Sequence, residues 1–346
     1  MNREQRFLVG AAASVLAVLA GRRALRNRRA IDFNRRVVVI SGGSRGLGLV
    51  MARQLAGEGA RLCLLARDEG ELARARAQLT SAGGIDGSDP EIMTLRCDVR
   101  RRADVRAAID VILDRWSAID VLINNAGVIQ VGPLEHMTRE DFENAMATHF
   151  WGPLHLMFEA VPGMRRRGFG RIVNIASVGG RVAVPHLAPY SASKFALVGL
   201  SDAVRTELDQ YGIRVTTVSP GLMRTGSPRN ANVKGNHEAE YAWFAIADSI
   251  PGLTASAERA ARDIIDACRH GDPELTISWP AKAARFMSVV APNALAQALR
   301  VANDILPRAT GVEGDRNRPG RESASAWAPS FATALTDRAA AANNEV

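Results

Sequence analysis

Three side chains near the middle of the sequence have the chemistry for proton transfer: Ser177, Tyr190 and Lys194. Tyr190 and Lys194 are four residues apart at the start of a predicted helix, so they lie on one face of it. A phenol is a poor acid or base near neutrality because its pKa is about 10, but an adjacent ammonium group favours the phenolate. The spacing therefore indicates general acid–base chemistry at an oxygen atom.

A glycine-rich segment joins the first predicted strand to the helix that follows it. It reads Ser41, Gly42, Gly43, Ser44, Arg45, Gly46, Leu47 and Gly48. Glycine lets a phosphate approach the backbone closely, and N–H groups at the start of the helix point toward it. This context predicts a site for a dinucleotide pyrophosphate, with glycine in an ordinary turn as the alternative.

Arg67 stands at the end of the second predicted strand. A fold that binds NAD usually has an acidic residue there, which hydrogen-bonds the ribose 2′-hydroxyl. Arg45 and Arg67 could instead hold a 2′-phosphate together, because guanidinium groups match phosphate oxygens. The sequence therefore favours NADP over NAD, and two solvated surface arginines are the alternative.

The elements that must position these residues alternate between short aliphatic runs and amphipathic stretches, which predicts repeated βα units. We expect an α/β fold, a Rossmann-like doubly wound parallel sheet of seven strands with helices on both faces. The predicted strands are 37–41, 61–66, 92–97, 121–124, 172–177, 215–219 and 275–279. The predicted helices are 47–57, 69–82, 103–116, 139–167 (with an interruption), 190–211 and 257–269.

The chain divides into four predicted parts. Residues 36–280 form the catalytic domain, and residues 281–308 form a helical extension. Pro292 divides this extension into two helices, because proline lacks an N–H and clashes with the preceding turn. Residues 309–346 are expected to be a partly ordered tail, and residues 1–35 precede the domain.

Residues 7–20 are apolar and uncharged, with two arginines before them and five soon after. This pattern favours a membrane anchor, with a signal or targeting segment and a helix docked on protein as alternatives. The heavier arginine cluster follows the run, so the main domain is expected at the cytoplasmic face of the membrane. A soluble cytoplasmic protein is the alternative.

The charge distribution argues against a nucleic-acid partner. The chain of 346 residues has a net charge of +8, but residues 1–36 contain nine arginines against Glu4 and Asp32. The remainder therefore carries only +1, which disfavours a basic face along the main domain. The three cysteines and six histidines lack the spacing of metal ligands, so we expect neither a metal site nor a disulfide framework.

Taken together, these motifs resemble the short-chain dehydrogenase/reductase family from about residue 36 to residue 279. The family's Thr-Gly-x-x-x-Gly-x-Gly resembles Ser41 to Gly48, and its Asn-Asn-Ala-Gly is found at Asn124 to Gly127. Its Tyr-x-x-x-Lys is found at Tyr190 to Lys194, and Ser177 precedes that tyrosine by thirteen residues, at the spacing of the family's catalytic serine.

The resemblance implies a hydride-transfer enzyme that uses NADP and interconverts a carbonyl and an alcohol, with Tyr190 as general acid or base. Ser177 would bond the substrate oxygen, and Lys194 would hold the ribose and lower the pKa of Tyr190. The resemblance also implies a homo-oligomer that pairs through the helices at 139–167 and 190–211. The cofactor residues that it implies, beyond the glycine-rich segment and Arg67, are Asp98, Val99, Asn125, Ala126, Gly127, Tyr190, Lys194, Pro220, Gly221 and Thr225.

One position departs from the family pattern: His149 stands where the family has a catalytic asparagine. The backbone carbonyl is retained and an imidazole can also bond water, so His149 could be a working substitute. A purely structural residue and impaired chemistry are the alternatives.

The apolar residues 128–131, Trp243, Phe244 and Ile246 favour a hydrophobic small-molecule substrate. An NADP-binding scaffold with impaired catalysis is the alternative function.

Overall fold

The computed structural model describes residues 5, 18, 20–81, 83 and 90–345. Within them, seven parallel strands form one sheet with the order β3-β2-β1-β4-β5-β6-β7, as a doubly wound fold requires. The predicted α/β fold is therefore confirmed. The strands are β1 (Val37–Ser41), β2 (Arg61–Ala66), β3 (Ile92–Arg96), β4 (Val121–Asn124), β5 (Gly170–Ile175), β6 (Ile213–Pro220) and β7 (Glu274–Ile277).

Both faces of the sheet are covered by helices. Successive residues of β1 point to opposite faces, so Val38 and Ile40 enter one hydrophobic cluster while Val37 and Val39 enter the other. The main helices are α1 (Gly46–Ala56), α2 (Glu69–Ser81), α3 (Arg102–Trp116), α4 (Arg139–Met146), α5 (Gly152–Arg167), α6 (Ala188–Asp209), α7 (His237–Ala247) and α8 (Ala257–His270). All three cysteines are buried in these clusters as free thiols. Cys63 lies on β2, Cys97 directly follows β3, and Cys268 lies in α8.

The predicted helix at 139–167 is interrupted by a π-helical turn over Ala147–Trp151. Such turns often occur at functional sites, and this one contains His149. Three predicted strands end earlier than expected, and the one predicted at 92–97 ends at Arg96. The strand predicted to reach Ser177 ends at Ile175, because the Ser177 side chain accepts the N–H of Gly179 and caps a short turn. The last strand ends at Ile277, and Trp279 already begins a helix.

After the sheet, the chain forms two helices, α9 (Trp279–Val290) and α10 (Pro292–Ile305), divided at Pro292 as predicted. Short strands form two small sheets apart from the main one: Gln130–Val131 and Arg318–Pro319 flank Asn232–Val233, and Met223–Arg224 pairs with Ala255–Ser256. Helix α11 (Ala334–Ala342) comes last, and residues 343–345 then return to the loop after β1. The extension therefore contributes to the surroundings of that loop.

Of the predicted anchor at 7–20, only residues 18 and 20 lie within the described part of the chain. Residues 20–28 are helical, and Arg26 in this helix pairs with Asp272 just before β7. None of the helices in the described residues has the length and apolar character needed to cross a bilayer.

Candidate active site

A cleft of about 670 Å³ opens at the carboxyl ends of the strands, where the strand order reverses beside β1. This is the position at which open α/β sheets bind ligands. The structure brings nearly all of the predicted site residues together here: Gly42, Ser44, Arg45, Gly46, Leu47, Arg67, Asp98, Val99, Asn125, Ala126, Gly127, His149, Ser177, Tyr190, Lys194, Pro220, Gly221 and Thr225. Gly48 is the one predicted residue outside this lining.

The glycines of the loop after β1 are required by its geometry. Gly42 has a φ of +64°, and a Cβ there would lie 2.8 Å from the Cα of Ala126. A Cβ on Gly48 would lie 2.7 Å from Asn125 Nδ2 and closer still to the carbonyl oxygen of Gly42. Gly48 therefore acts by letting α1 approach the loop closely, which explains why it does not line the cleft.

Hydrogen bonds join this loop to the segment after β4. The Asn125 side-chain amide donates to the carbonyl oxygens of Gly42 (2.9 Å) and Ser41 (3.2 Å). In return, the Ser41 hydroxyl oxygen accepts the N–H groups of Asn125 (3.0 Å) and Ala126 (3.2 Å). These bonds join the two loops into one wall at the start of α1, a cradle that fits the phosphates of a dinucleotide.

Tyr190 and Lys194 occupy the first turns of α6, on the other side of the cleft. The Lys194 ammonium donates to the carbonyl oxygen of Ile175 (2.7 Å) and lies 5.7 Å from the centre of the Tyr190 ring. Ser177 follows β5, and its hydroxyl lies close enough to the Tyr190 phenol to lower the pKa of that phenol. The three side chains that the sequence singled out therefore converge at one point.

Burial dominates the pKa values of this group. Desolvation raises the pKa of Tyr190 to about 12, and the Ser177 hydroxyl only partly opposes it. Desolvation also lowers the pKa of Lys194 to about 7. Burial therefore disfavours the charged forms of both side chains. A neutral phenol at the cleft can donate a proton.

His149 is completely buried beneath the same wall. Its Nε2 accepts the N–H of Val128 (3.1 Å), so Nδ1 carries the proton and donates to the Ser193 hydroxyl oxygen (2.7 Å). Ser193 in turn donates to the carbonyl oxygen of Tyr190 (2.8 Å). Desolvation lowers the pKa of His149 well below its usual value, so the imidazole is neutral and ties the segment after β4 to the helix of Tyr190.

Both arginines predicted for a 2′-phosphate line the cleft, and Arg45 bonds neighbouring side chains there. Arg45 Nη1 lies 2.8 Å from a carboxylate oxygen of Glu71 and 2.9 Å from the side-chain oxygen of Asn230. The Ser44 hydroxyl also donates to Glu71 (2.8 Å). Arg67 is exposed at the mouth of the cleft and, after Arg100, contributes to lowering the pKa of Asp98.

Sequence reasoning missed Glu71 and Glu345, which both line the cleft. Glu71 lies in the first turn of α2, where an acidic residue is ordinary because it favours the helix dipole. Glu345 lies 300 residues beyond Arg45 in the chain, and no motif links the two. No sequence signal could have placed it here.

A buried apolar cluster lies behind Ile129 and Tyr190 of the cleft lining. Val131, Leu187 and Phe244 form a buried cluster with Ala231, and Ile129, Tyr190 and Trp243 pack against it. His186 does not face the cleft freely, because its Nδ1 lies 2.8 Å from the buried carboxylate of Glu240. Within the described residues, no group of three or more His, Cys, Asp and Glu side chains is placed to hold a metal ion.

Comparison with known proteins agrees with this geometry. Residues 36–235 match the short chain dehydrogenase family. A putative ketoacyl reductase of Streptomyces coelicolor is 37% identical over 204 residues, covering 58% of this chain and 75% of that protein. Dehydrogenase/reductase SDR family member 7B of Bos taurus is 30% identical over 259 residues, covering 74% of this chain and 78% of that protein.

Among solved structures, a single-residue variant of actinorhodin polyketide ketoreductase with NADPH aligns with a TM-score of 0.62 and 31% identity. The alignment covers 70% of this chain and 96% of that chain. Levodione reductase aligns with the same TM-score of 0.62 at 27% identity, covering 73% of this chain and 99% of that chain.

Proposed function

The chain belongs to the short-chain dehydrogenase family and is an NAD(P)-dependent oxidoreductase that interconverts carbonyls and alcohols; we propose that it uses NADPH on a hydrophobic small molecule. The observation that carries this proposal is the convergence of Ser177, Tyr190 and Lys194 in the cleft beside the glycine-rich loop. Apolar residues of the cleft lining, among them Val128, Ile129 and Met223, support a hydrophobic substrate.

In the proposed reaction, the bound nicotinamide supplies or accepts a hydride. Tyr190 donates its phenolic proton to the carbonyl oxygen in reduction and takes the hydroxyl proton back in oxidation. Ser177 lies beside the Tyr190 phenol, so its hydroxyl can hold the substrate oxygen next to the proton donor. Lys194 lies on the same face of α6, where its ammonium restores charge balance when Tyr190 is ionised.

His149 acts in this scheme as a positioning residue. Its two ring nitrogens join Val128, next to the cofactor wall, to Ser193, one turn after Tyr190. A neutral imidazole makes both bonds at once, as donor at Nδ1 and acceptor at Nε2. This supports the proposal of a working enzyme over that of a scaffold with impaired catalysis.

The preference for NADPH rests on Ser44, Arg45 and Arg67, which lie at the end of the cleft beside β2. A 2′-phosphate would take the place of the Glu71 carboxylate on the Ser44 hydroxyl and the Arg45 guanidinium. The actinorhodin ketoreductase, which resembles this chain, was solved with NADPH, and this supports the same choice.

Fluorescence titration with NADPH and NADH, followed by a panel of carbonyl substrates read at the nicotinamide absorbance, tests the proposal. We expect NADPH to bind more tightly and ketones with apolar substituents to turn over. Arg67→Asp should weaken NADPH binding at least tenfold and leave NADH binding nearly unchanged. Arg96→Asp is the matched control, because Arg96 is exposed at the end of β3, outside the cleft lining. NADPH binding without turnover would support the scaffold alternative, and an unchanged NADPH preference in Arg67→Asp would count against the 2′-phosphate contact.

We propose a homo-oligomer, which is usual in this family. Three large apolar side chains on the predicted pairing helices and the turn before them are exposed: Trp151, Phe158 and Phe195. A second copy of the chain packing on these helices would bury them.

We also propose that residues 7–20 attach the protein to the cytoplasmic face of a membrane, with a soluble cytoplasmic protein as the alternative. The Arg26–Asp272 pair fixes the helix that follows this run near the start of β7. Arg285 in α9 bonds Glu274 of β7, and α9 exposes the apolar side chains Phe286 and Val289. Flotation with anionic phospholipid vesicles, with and without residues 1–19, tests this attachment. Equal flotation of both forms would contradict it.

A further inference from the structure

The segment that follows α11, residues 343–345, lies across the glycine-rich loop. The N–H of Gly46 donates to the carbonyl oxygen of Asn343 (2.8 Å). The Asn344 side-chain amide donates to the carbonyl oxygens of Ser44 (2.8 Å) and Glu71 (3.1 Å), and its oxygen accepts a hydrogen bond from Arg74 Nε (2.7 Å). We call residues 343–345 the strap.

The strap places a carboxylate among the phosphate-binding groups. Glu345 accepts the N–H of Gly226, next to Thr225. A Cβ built on Gly46 would lie 3.0 Å from Glu345 Oε1, so the carboxylate covers the start of α1. The amino end of a helix attracts anions because its N–H groups and dipole are positive there. The carboxylate therefore uses the same attraction that a pyrophosphate would use.

The docked strap contains two unfavourable features. The side-chain nitrogen and oxygen of Asn343 are buried, and neither makes a hydrogen bond within the described residues. Glu345 is only 8% exposed, and burial raises the pKa of its carboxyl to about 7, although the bond from Gly226 opposes the shift. Unsatisfied buried polar groups and buried charge favour release. Specific hydrogen bonds thus hold the strap in place, although docking is unfavourable for the Asn343 side chain and the Glu345 carboxylate.

We propose that the strap is an intramolecular competitor of the dinucleotide, with Glu345 standing in for a phosphate between Gly46 and Gly226. Binding of NADPH displaces the strap. The strap therefore lowers the apparent affinity for NADPH, because it must leave the loop before the cofactor can bind. This inference rests on the proposed function, because it takes the glycine-rich loop as the cofactor's phosphate site.

The test compares NADPH binding by the full chain with that of a double variant, Asn344→Ala with Glu345→Ala. Asn344 anchors the strap by donating to the Ser44 carbonyl oxygen, which is not a phosphate-binding group. Glu345 supplies the carboxylate that competes with the phosphate. The double variant should bind NADPH at least fivefold more tightly by fluorescence titration. Glu322→Ala is the matched control, because Glu322 is an exposed glutamate in the same part of the chain; it should bind NADPH as the parent does.

Hydrogen–deuterium exchange of the strap provides a readout independent of affinity. Addition of NADPH to the unaltered protein should increase exchange at residues 343–345, because the N–H groups of Asn343 and Glu345, which bond the end of α11 while the strap is docked, become exposed to solvent when it is displaced. Decreased exchange, or weaker binding by the double variant, would mean that the strap clamps the cofactor, and the proposal would be wrong. Tight NADPH binding that is equal in parent and double variant would overturn the strap alone. No NADPH binding by either protein would overturn the proposed function together with the strap.

Discussion

Gly48 offers a direct test of how the cofactor wall is built. Gly48→Ala adds a Cβ 2.7 Å from Asn125 Nδ2 and closer still to the Gly42 carbonyl oxygen, and that oxygen is backbone held by Asn125. Overpacking of this kind costs about 1–3 kcal/mol, and the upper end applies because backbone cannot rotate away. Alanine gains back at most about 1 kcal/mol of helix propensity. The net loss of unfolding free energy is therefore about 2 kcal/mol.

Gly199→Ala is the matched control for this substitution. Gly199 also lies in a helix, but a Cβ there would meet nothing within 4 Å. This change should stabilise the protein by up to about 1 kcal/mol, since only helix propensity is altered. The two variants are thus expected to shift stability in opposite directions.

Thermal unfolding and NADPH titration measure both effects. At about 2–4 °C per kcal/mol for a large domain, Gly48→Ala should lower Tm by about 4–8 °C. It should also weaken NADPH binding at least tenfold, because the loop must move to accommodate the methyl group. A Gly48→Ala variant with the Tm and NADPH affinity of the parent would refute the argument that close backbone approach forms the cradle.

Two further predictions concern His149 and the proposed contact between copies of the chain. His149→Ala leaves the Val128 N–H and the Ser193 hydroxyl without their buried partner, so urea unfolding should report a loss of about 2–4 kcal/mol and turnover should fall. An unchanged midpoint and turnover would show that the imidazole does not tie the wall to α6. Phe195→Glu puts a charge on an exposed apolar position of α6, so sedimentation velocity should show smaller particles than the parent, whereas an unaltered oligomer would place the interface elsewhere.

The sheet and most of the cleft could be predicted from the sequence because their signals are local. Runs such as Val37–Ser41 are buried on both faces, and such β-branched stretches identify parallel strands directly. The glycine-rich loop is a single loop, and Tyr190 and Lys194 are one helical turn apart. The spacing of these residues alone therefore predicts their geometry. The end of β5 was misplaced by two residues because Ser177 is a capping residue, and capping depends on side-chain hydrogen bonds that periodicity does not report.

The remaining features depend on long-range contacts. Glu71 reaches Arg45 across 26 residues, and Asn344 reaches the Ser44 carbonyl across 300 residues. Composition describes the strap only as polar residues that follow an alanine-rich helix. The pKa of Tyr190 could not be predicted either, because neighbouring residues in the sequence do not reveal how strongly burial opposes the charge of Lys194.

The central claim is that Tyr190 donates the proton, and a substitution that removes only its hydroxyl tests this claim most directly. Tyr190→Phe should retain NADPH affinity within about threefold, since the ring stays in place, and lose at least about a thousandfold in kcat because general acid catalysis is removed. Tyr211→Phe is the matched control: Tyr211 packs under Arg165 just after α6, outside the cleft lining, and this variant should turn over as the parent does. Parent-like turnover by Tyr190→Phe would contradict the proposed mechanism.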